Sequence, residues 1–181
     1  MNWLRAWVWV LTAACTNALA QPSFDLLSQP GVHAIMRHTT APGFGDPANF
    51  KLGDCSTQRN LSADGIQEAK VLGKTLQDRG LRFSAVYSSQ WCRCLDTARA
   101  MNLGEVLELP ALNSFFQDRT KGDPQTAALL TFLRALNPSD KVLLVSHQVN
   151  VTALTGIFPS PGEVILFRLG PQGAVEVLGR M

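Results

Sequence analysis

The sequence predicts an α/β fold, a three-layer α/β/α sandwich with a mostly parallel central sheet. Short apolar segments typical of strands alternate along the chain with longer segments of helical periodicity. Residues 141–146 are almost continuously apolar, which is typical of a strand buried in the middle of a parallel sheet. Between residues 62 and 79, small and apolar residues recur at helical spacing. Helices with one apolar face are expected to cover such a sheet.

Each element follows from a local pattern. Strands are predicted at residues 32–36, 83–88, 106–109, 141–146, 164–169 and 174–178. Helices are predicted at residues 62–79, 91–101, 123–136 and 148–155. Ser62 is a favourable N-cap, and Gly80 suits the position after that helix ends. Asp123 followed by Pro124 indicates the start of another helix, with Asp123 as its N-cap.

Residues 1–20 are predicted to be a secretory signal peptide, which leaves residues 21–181 as a single domain. A positively charged start precedes an apolar run at residues 6–14, and the small-residue pattern Ala18-Leu19-Ala20 follows. A retained membrane anchor is the less favoured alternative because the apolar run is short for a bilayer. A lipid-anchored form acylated at Cys15 is also a weaker alternative.

Export sets the expected location and partners. The protein is predicted to be periplasmic if the host has an outer membrane and secreted otherwise. After cleavage no segment is expected to insert stably into a membrane, because no other stretch reads as membrane-spanning. The formal net charge of +2 argues against nucleic-acid binding through a large basic surface. The oligomeric state is left open.

Export also determines which cysteines remain and whether they are expected to form a disulfide. Cleavage removes Cys15 and leaves Cys55, Cys92 and Cys94. In an oxidising compartment a disulfide is expected, joining Cys55 to either Cys92 or Cys94. A metal site built from the Cys-x-Cys pair and a histidine has weaker support from its spacing, so no metal is expected.

Charged and imidazole side chains follow three of the predicted strands. Arg37 and His38 follow the first strand, Arg93 lies just after the second, and His147 follows strand 141–146. Because ligands bind at the carboxyl ends of strands in such sheets, these groups are expected to converge. Arginine forks hold oxyanions, and a neutral imidazole can attack phosphorus. The arrangement predicts a phosphorylated substrate.

These residues carry a resemblance to a known family. The segment Met36-Arg37-His38-Thr39 resembles the Arg-His-Gly signature of the histidine phosphatase superfamily, the phosphoglycerate mutase-like clan. Residues 55–64, 87–98 and 144–148 (CSTQRNLSAD, YSSQWCRCLDTA and LVSHQ) are similar to later motifs of that family, in the same order. The chain resembles an exported bacterial-type member.

The resemblance implies a phosphoglycerate mutase-like fold and a set of roles. It makes His38 the nucleophile and places Arg37, Arg93 and His147 around the phosphate, with no metal or organic cofactor. Members of that family carry the general acid either directly after the second histidine or after the third strand. Here Gln148 follows the second histidine, and residues 112–115 hold no carboxylate, so neither position supplies an acid. Asp118 and Asp46 are the candidate acids, because both lie in loops next to predicted site segments.

The predicted function is that of an exported, metal-independent phosphomonoesterase. It is expected to hydrolyse small-molecule phosphate esters, sugar phosphates among them, through a covalent phosphohistidine on His38. A serine hydrolase is disfavoured because no Gly-x-Ser-x-Gly elbow occurs, and a cysteine-dependent phosphatase because no Cys-x5-Arg loop occurs. The alternative is a non-catalytic phosphate- or phosphosugar-binding protein that retains the pocket, which the missing acid favours.

Overall fold

The structure, a computed structural model, describes residues 24–181. Within these residues the chain forms six strands and five α-helices. The strands are β1 (His33–Arg37), β2 (Ala85–Ser88), β3 (Val106–Glu108), β4 (Val142–Ser146), β5 (Val164–Leu169) and β6 (Val175–Arg180). The helices are α1 (Phe24–Leu27), α2 (Ala63–Asp78), α3 (Cys92–Met101), α4 (Gly122–Arg134) and α5 (Gln148–Thr155). The predicted signal peptide and Cys15 lie outside the described residues.

The six strands form one mixed sheet in the order β3-β2-β4-β1-β5-β6. The first four are parallel to one another, whereas β5 and β6 pair antiparallel. Strand β4 lies between β2 and β1, and all five of its residues are buried, as its apolar sequence predicts. The β5–β6 pair is antiparallel because only a short turn joins the two strands. The predicted mostly parallel α/β sheet is confirmed.

Helices cover both faces of the sheet. Alternate residues of the strands point to opposite faces, so Ala34 and Met36 of β1 pack into one core and Ile35 into the other. On the first face the core contains residues of α1, α2 and α3, and on the second face residues of α4 and α5. The sandwich therefore has the three predicted layers.

The ends of two helices test the predicted capping. Helix α2 begins after Ser62, whose Oγ accepts a hydrogen bond from the Gly65 backbone N–H at 3.0 Å, as predicted. Helix α4 differs, because it begins at Gly122 and Asp123 lies inside its first turn. A 3₁₀ turn at Arg119–Lys121 leads directly into α4 and moves its start upstream. The prediction of Asp123 as the N-cap was wrong.

Helix α2 lies against both α3 and the segment that follows β1. A Cβ atom on Gly73 would overlap the Met101 carbonyl of α3, and one on Gly65 would overlap the Thr40 carbonyl. The Glu68 carboxylate of α2 accepts hydrogen bonds from the Thr40 backbone N–H at 3.0 Å and from its Oγ1 at 2.9 Å. The helix thereby anchors the chain two residues beyond His38.

A disulfide joins Cys55 to Cys92, which resolves the two pairings left open by the sequence. It ties the loop before α2 to the first residue of α3. Cys94 is a free, fully buried cysteine, and burial raises the pKa of its thiol to about 12. None of the helices within residues 24–181 is long and apolar enough to cross a membrane.

Candidate active site

The four predicted site residues meet in one pocket of about 140 Å³ at the carboxyl ends of the parallel strands. Arg37, His38, Arg93 and His147 all line it. Arg37 ends β1 and His38 follows it, Arg93 lies in the N-terminal turn of α3, and His147 follows β4. The convergence expected from their positions after strands is therefore present.

His38 is buried at the base of the pocket and held in one tautomer. Its Nδ1 lies 2.7 Å from the Thr39 carbonyl oxygen, so Nδ1 carries the proton and donates. The other ring nitrogen, Nε2, then keeps its lone pair. Burial lowers the pKa of His38 to about 3, and the charges of Arg93, Arg59 and Arg37 act in the same direction. His38 is consequently a neutral imidazole at pH 7.

His147 is held between a hydroxyl and a guanidinium. Its Nε2 lies 2.9 Å from the Ser89 Oγ and its Nδ1 lies 3.4 Å from an Nη2 of Arg93. A guanidinium can only donate, so Nδ1 accepts and Nε2 donates to Ser89. Ser89 in turn donates to the Asn113 side-chain oxygen at 3.2 Å. Burial, followed by the charge of Arg93, lowers the pKa of His147 well below its usual value, so this ring is also neutral.

The pocket holds more positive than negative charge. Arg37, Arg59 and Arg93 all line it, whereas Asp46 is the one carboxylate among the described residues that do so. Burial and the charge of Arg93 lower the pKa of both Arg37 and Arg59. In the part of the chain that is described, neither of these two arginines forms an ion pair with a carboxylate. The excess charge suits a bound anion, since taking a cation partly out of water is costly unless the cation is paired.

Asp46 is fully engaged by its neighbours. Its two oxygens lie 2.6 and 3.1 Å from the Nη1 and Nη2 atoms of Arg93, and the Trp91 Nε1 donates to the carboxylate at 3.0 Å. Burial acts to raise the pKa of Asp46, but the hydrogen bonds and charge of Arg93 outweigh it and hold that pKa below its usual value. Asp46 is therefore ionised at neutral pH in this arrangement.

Asp118, the other candidate acid, lies outside the pocket lining. Its carboxylate accepts from Thr120 and lies 3.3 Å from the Lys121 Nζ, all within its own loop. The Thr120 hydrogen bond lowers the pKa of Asp118, so its exposed carboxylate is ionised at neutral pH. Of the two candidates, only Asp46 lines the pocket that contains His38.

A sequence comparison agrees with the geometry. Residues 46–122 match the family model of the histidine phosphatase superfamily, branch 1. The resemblance to the histidine phosphatase superfamily is confirmed. The matched segment includes Asp46, Arg59 and Arg93, and the segments with His38 and His147 flank it. No curated protein sequence matches the chain.

The fold of this histidine phosphatase-like chain is similar to that of several solved phosphatase structures. One is the protein histidine phosphatase SixA complexed with tungstate, with 18% identity, 83% of this chain and 96% of that chain covered, and a TM-score of 0.58. Another is the alpha-ribazole phosphatase from Shigella flexneri, with 17% identity, coverage of 81% and 94%, and a TM-score of 0.57. A third is the phosphoserine phosphatase from Entamoeba histolytica in complex with 3-phosphoglyceric acid, with 14% identity, coverage of 82% and 95%, and a TM-score of 0.59.

One residue of the pocket lining, Arg59, and one residue that contacts His147, Ser89, were missed from the sequence. Arg59 belongs to the CSTQRNLSAD segment but lies in irregular chain, where no periodicity assigns it a direction. Its Nε donates to the Gly45 carbonyl at 2.8 Å and its Nη1 to the Ala41 carbonyl. Ser89 lies directly after the strand predicted at residues 83–88, and that position was the available indication of its contact with His147.

Proposed function

We propose that the protein is an exported phosphomonoesterase that hydrolyses small-molecule phosphate esters through a phosphohistidine on His38, without a metal. The observation that carries this proposal is the pocket itself, where three guanidiniums and one carboxylate surround a neutral histidine with one free ring nitrogen. A transferring phosphoryl group needs this environment, because its catalysis consists mainly of positioning and charge neutralisation. The phosphatase fold of the similar structures supports it as well.

The reaction follows as two displacements at phosphorus. The lone pair of His38 Nε2 forms the N–P bond, the ester P–O bond breaks, and its electron pair leaves with the alcohol oxygen, which takes up a proton. Water then attacks phosphorus and gives one proton to the group that protonated the alcohol, and the P–N electrons return to the imidazole. Arg37, Arg59 and Arg93 stabilise the equatorial oxygens throughout, because their guanidiniums stay charged. His147 holds the Arg93 guanidinium in place through Nδ1.

Asp46 is the candidate that remains for protonating the leaving alcohol. Phosphoryl oxygens compete with its carboxylate for Arg93, and Arg93 is the group that lowers its pKa. Once Arg93 is shared between Asp46 and a substrate, the burial of Asp46 raises the pKa of its carboxyl group and favours uptake of a proton. Substrate binding would thereby convert an ion-pair partner into a general acid.

Export and metal independence are parts of the same proposal. The sequence pattern of residues 1–20 supports export, and the disulfide between Cys55 and Cys92 suits an oxidising compartment. Within residues 24–181 no group of three or more His, Cys, Asp or Glu side chains is arranged to hold a metal ion. Fractionation of the host cell and the effect of EDTA on activity test these two parts.

The first experiment measures phosphate release from para-nitrophenyl phosphate with and without EDTA, beside the variant His38→Ala. We expect EDTA-resistant release that falls by at least about a thousandfold in the variant, since the nucleophile is lost. His33→Asn is the matched control, because His33 is buried outside the pocket and asparagine keeps an acceptor for the Val142 N–H. Acid quenching should trap a labelled phosphoprotein in the wild type, and equal activity in His38→Ala would refute the mechanism.

A binding protein without turnover is the second candidate function. The observation that favours it is the ion pair between Asp46 and Arg93, which occupies the one carboxylate of the described pocket lining. Under this reading inorganic phosphate raises the melting temperature while a broad panel of esters is not hydrolysed. Turnover that depends on His38 excludes it.

A further inference from the structure

The mouth of the pocket is lined by exposed phenylalanines. Phe44 is 86% exposed and Phe158 is 69% exposed, which makes them the two most exposed large apolar side chains within residues 24–181. Both line the pocket that contains His38, and Phe116 lines it as well. Single exposed apolar residues need no explanation, but a cluster at a pocket mouth indicates a binding surface.

Phe44 is held in place although it is exposed. Its ring meets that of Phe116 edge to face, with centroids 4.9 Å apart and an interplanar angle of 85°. The flanking Gly43 and Gly45 have φ values of +91° and +68°, a backbone conformation that glycine adopts without strain. The Gly45 carbonyl also accepts the hydrogen bond from Arg59, so an arginine of the pocket fixes the turn that presents Phe44.

The two ends of the pocket differ in chemistry. The base, around His38, contains the guanidiniums and the neutral histidines, whereas the mouth presents aromatic rings. A phosphate ester bound with its phosphate at the base must direct its organic group towards the mouth. Aromatic side chains bind flat apolar rings by stacking or edge contacts and gain little from a short flexible chain.

We propose that Phe44 and Phe158 select the substrate by its organic group, and that this group is a ring with a flat apolar face, aryl or sugar, joined to the phosphate directly or through one methylene. The proposal rests on the proposed phosphatase function. It assigns substrate specificity to two residues that take no part in the chemical step. Esters with short open chains leave both rings unpaired and are the poor substrates.

The test compares benzyl phosphate with ethyl phosphate, whose alcohols are of similar acidity, so the chemical step is matched. We expect wild-type kcat/KM to favour the benzyl ester by about tenfold or more, and Phe44→Ala and Phe158→Ala each to lower this ratio by about two- to tenfold. Val71→Ala is the control, because Val71 is exposed on α2 away from the pocket. Cyclohexylmethyl phosphate and glucose 6-phosphate distinguish an aryl from a sugar preference.

Binding provides a readout that does not depend on turnover. Dissociation constants for benzylphosphonate and ethylphosphonate are measured by calorimetry on the same variants, and the same order of affinities is expected. The specificity proposal fails if the wild type hydrolyses both esters with equal kcat/KM, or if the phenylalanine variants keep the wild-type ratio of the two values. Either result leaves the proposed phosphatase function intact. If no ester is hydrolysed, the proposed function fails, and the two phosphonates still decide whether the aromatic mouth binds a ring.

Discussion

At the scale of single residues, the pocket depends on groups whose protonation is set by burial and by their neighbours. His38 and His147 stay neutral mainly because burial disfavours a charged ring, and also because charging them would place further cations beside the arginines of the pocket. A neutral nucleophile and charged arginines can therefore line the same pocket. Asp46 differs, because burial acts to raise its pKa but Arg93 lowers it by more, which keeps the carboxylate ionised.

The variant Asp46→Asn tests whether that carboxylate protonates the leaving group. We expect kcat/KM for an alkyl phosphate to fall by about a hundredfold or more, because general acids contribute on the order of 10²–10⁴. The nitrophenolate of para-nitrophenyl phosphate needs little protonation, so its kcat/KM should change far less. Inorganic phosphate should inhibit the variant more strongly, since Arg93 has lost its competing carboxylate.

The comparison with Asp118→Asn controls for a simple change of charge. The Asp118 side chain is about half exposed and bonded within its own loop, so this variant should behave as the wild type. An equal loss on alkyl and nitrophenyl esters in Asp46→Asn would show that Asp46 only positions Arg93. That result would remove it as the general acid.

At the scale of elements, helix α2 positions the segment that follows the nucleophile. It has close approaches at two glycines, one against the Met101 carbonyl of α3 and one against the Thr40 carbonyl. Its Glu68 also binds Thr40 directly. Movement of α2 would therefore shift both α3, which carries Arg93, and the chain beside His38.

Gly73→Ala should destabilise the protein for this reason. The added methyl overlaps the Met101 carbonyl, and such overpacking costs about 1–3 kcal/mol, more than alanine gains in helix propensity. Urea unfolding measures the free energy of unfolding of this variant, with Val71→Ala on the exposed face of α2 as the control. Unchanged stability in Gly73→Ala would mean that α2 and α3 can separate without cost.

At the scale of the whole molecule, the disulfide joins two segments that both contribute to the pocket. Cys55 begins the 3₁₀ turn that leads to Arg59, and Cys92 is the neighbour of Arg93. The Gln58 side chain adds to this link by accepting a hydrogen bond from the Cys92 backbone N–H at 3.0 Å. One covalent bond thus restrains the relative position of two arginines.

Loss of this bond should lower the stability of the folded protein. A separation of 37 residues corresponds to about 4 kcal/mol in the chain-entropy treatment of a cross-link. The double variant Cys55→Ser, Cys92→Ser should unfold at lower urea concentration than the oxidised wild type and should not respond to reductant. A wild type whose unfolding midpoint is the same with and without reductant would contradict the structural role of the disulfide.

The alternation of strands and helices, the buried middle strand and the residues that meet at the strand ends could all be predicted from the sequence. This was possible because periodicity and strand ends are local properties, and the order of elements constrains how they assemble. His38 and Arg93 were therefore predictable from their places along the chain. The antiparallel pairing of β1 with β5 was not, because no local pattern encodes it.

The contacts made by irregular chain could be seen only in the folded protein. The fold placed Arg59 and Asp46 in the pocket and left Asp118 outside it, and it paired Cys55 with Cys92. Loops have no repeating geometry, so the direction of a loop side chain depends on what the rest of the fold packs against it. The same reason applies to Phe44, whose exposure at the pocket mouth follows from a turn held by an arginine 15 positions later.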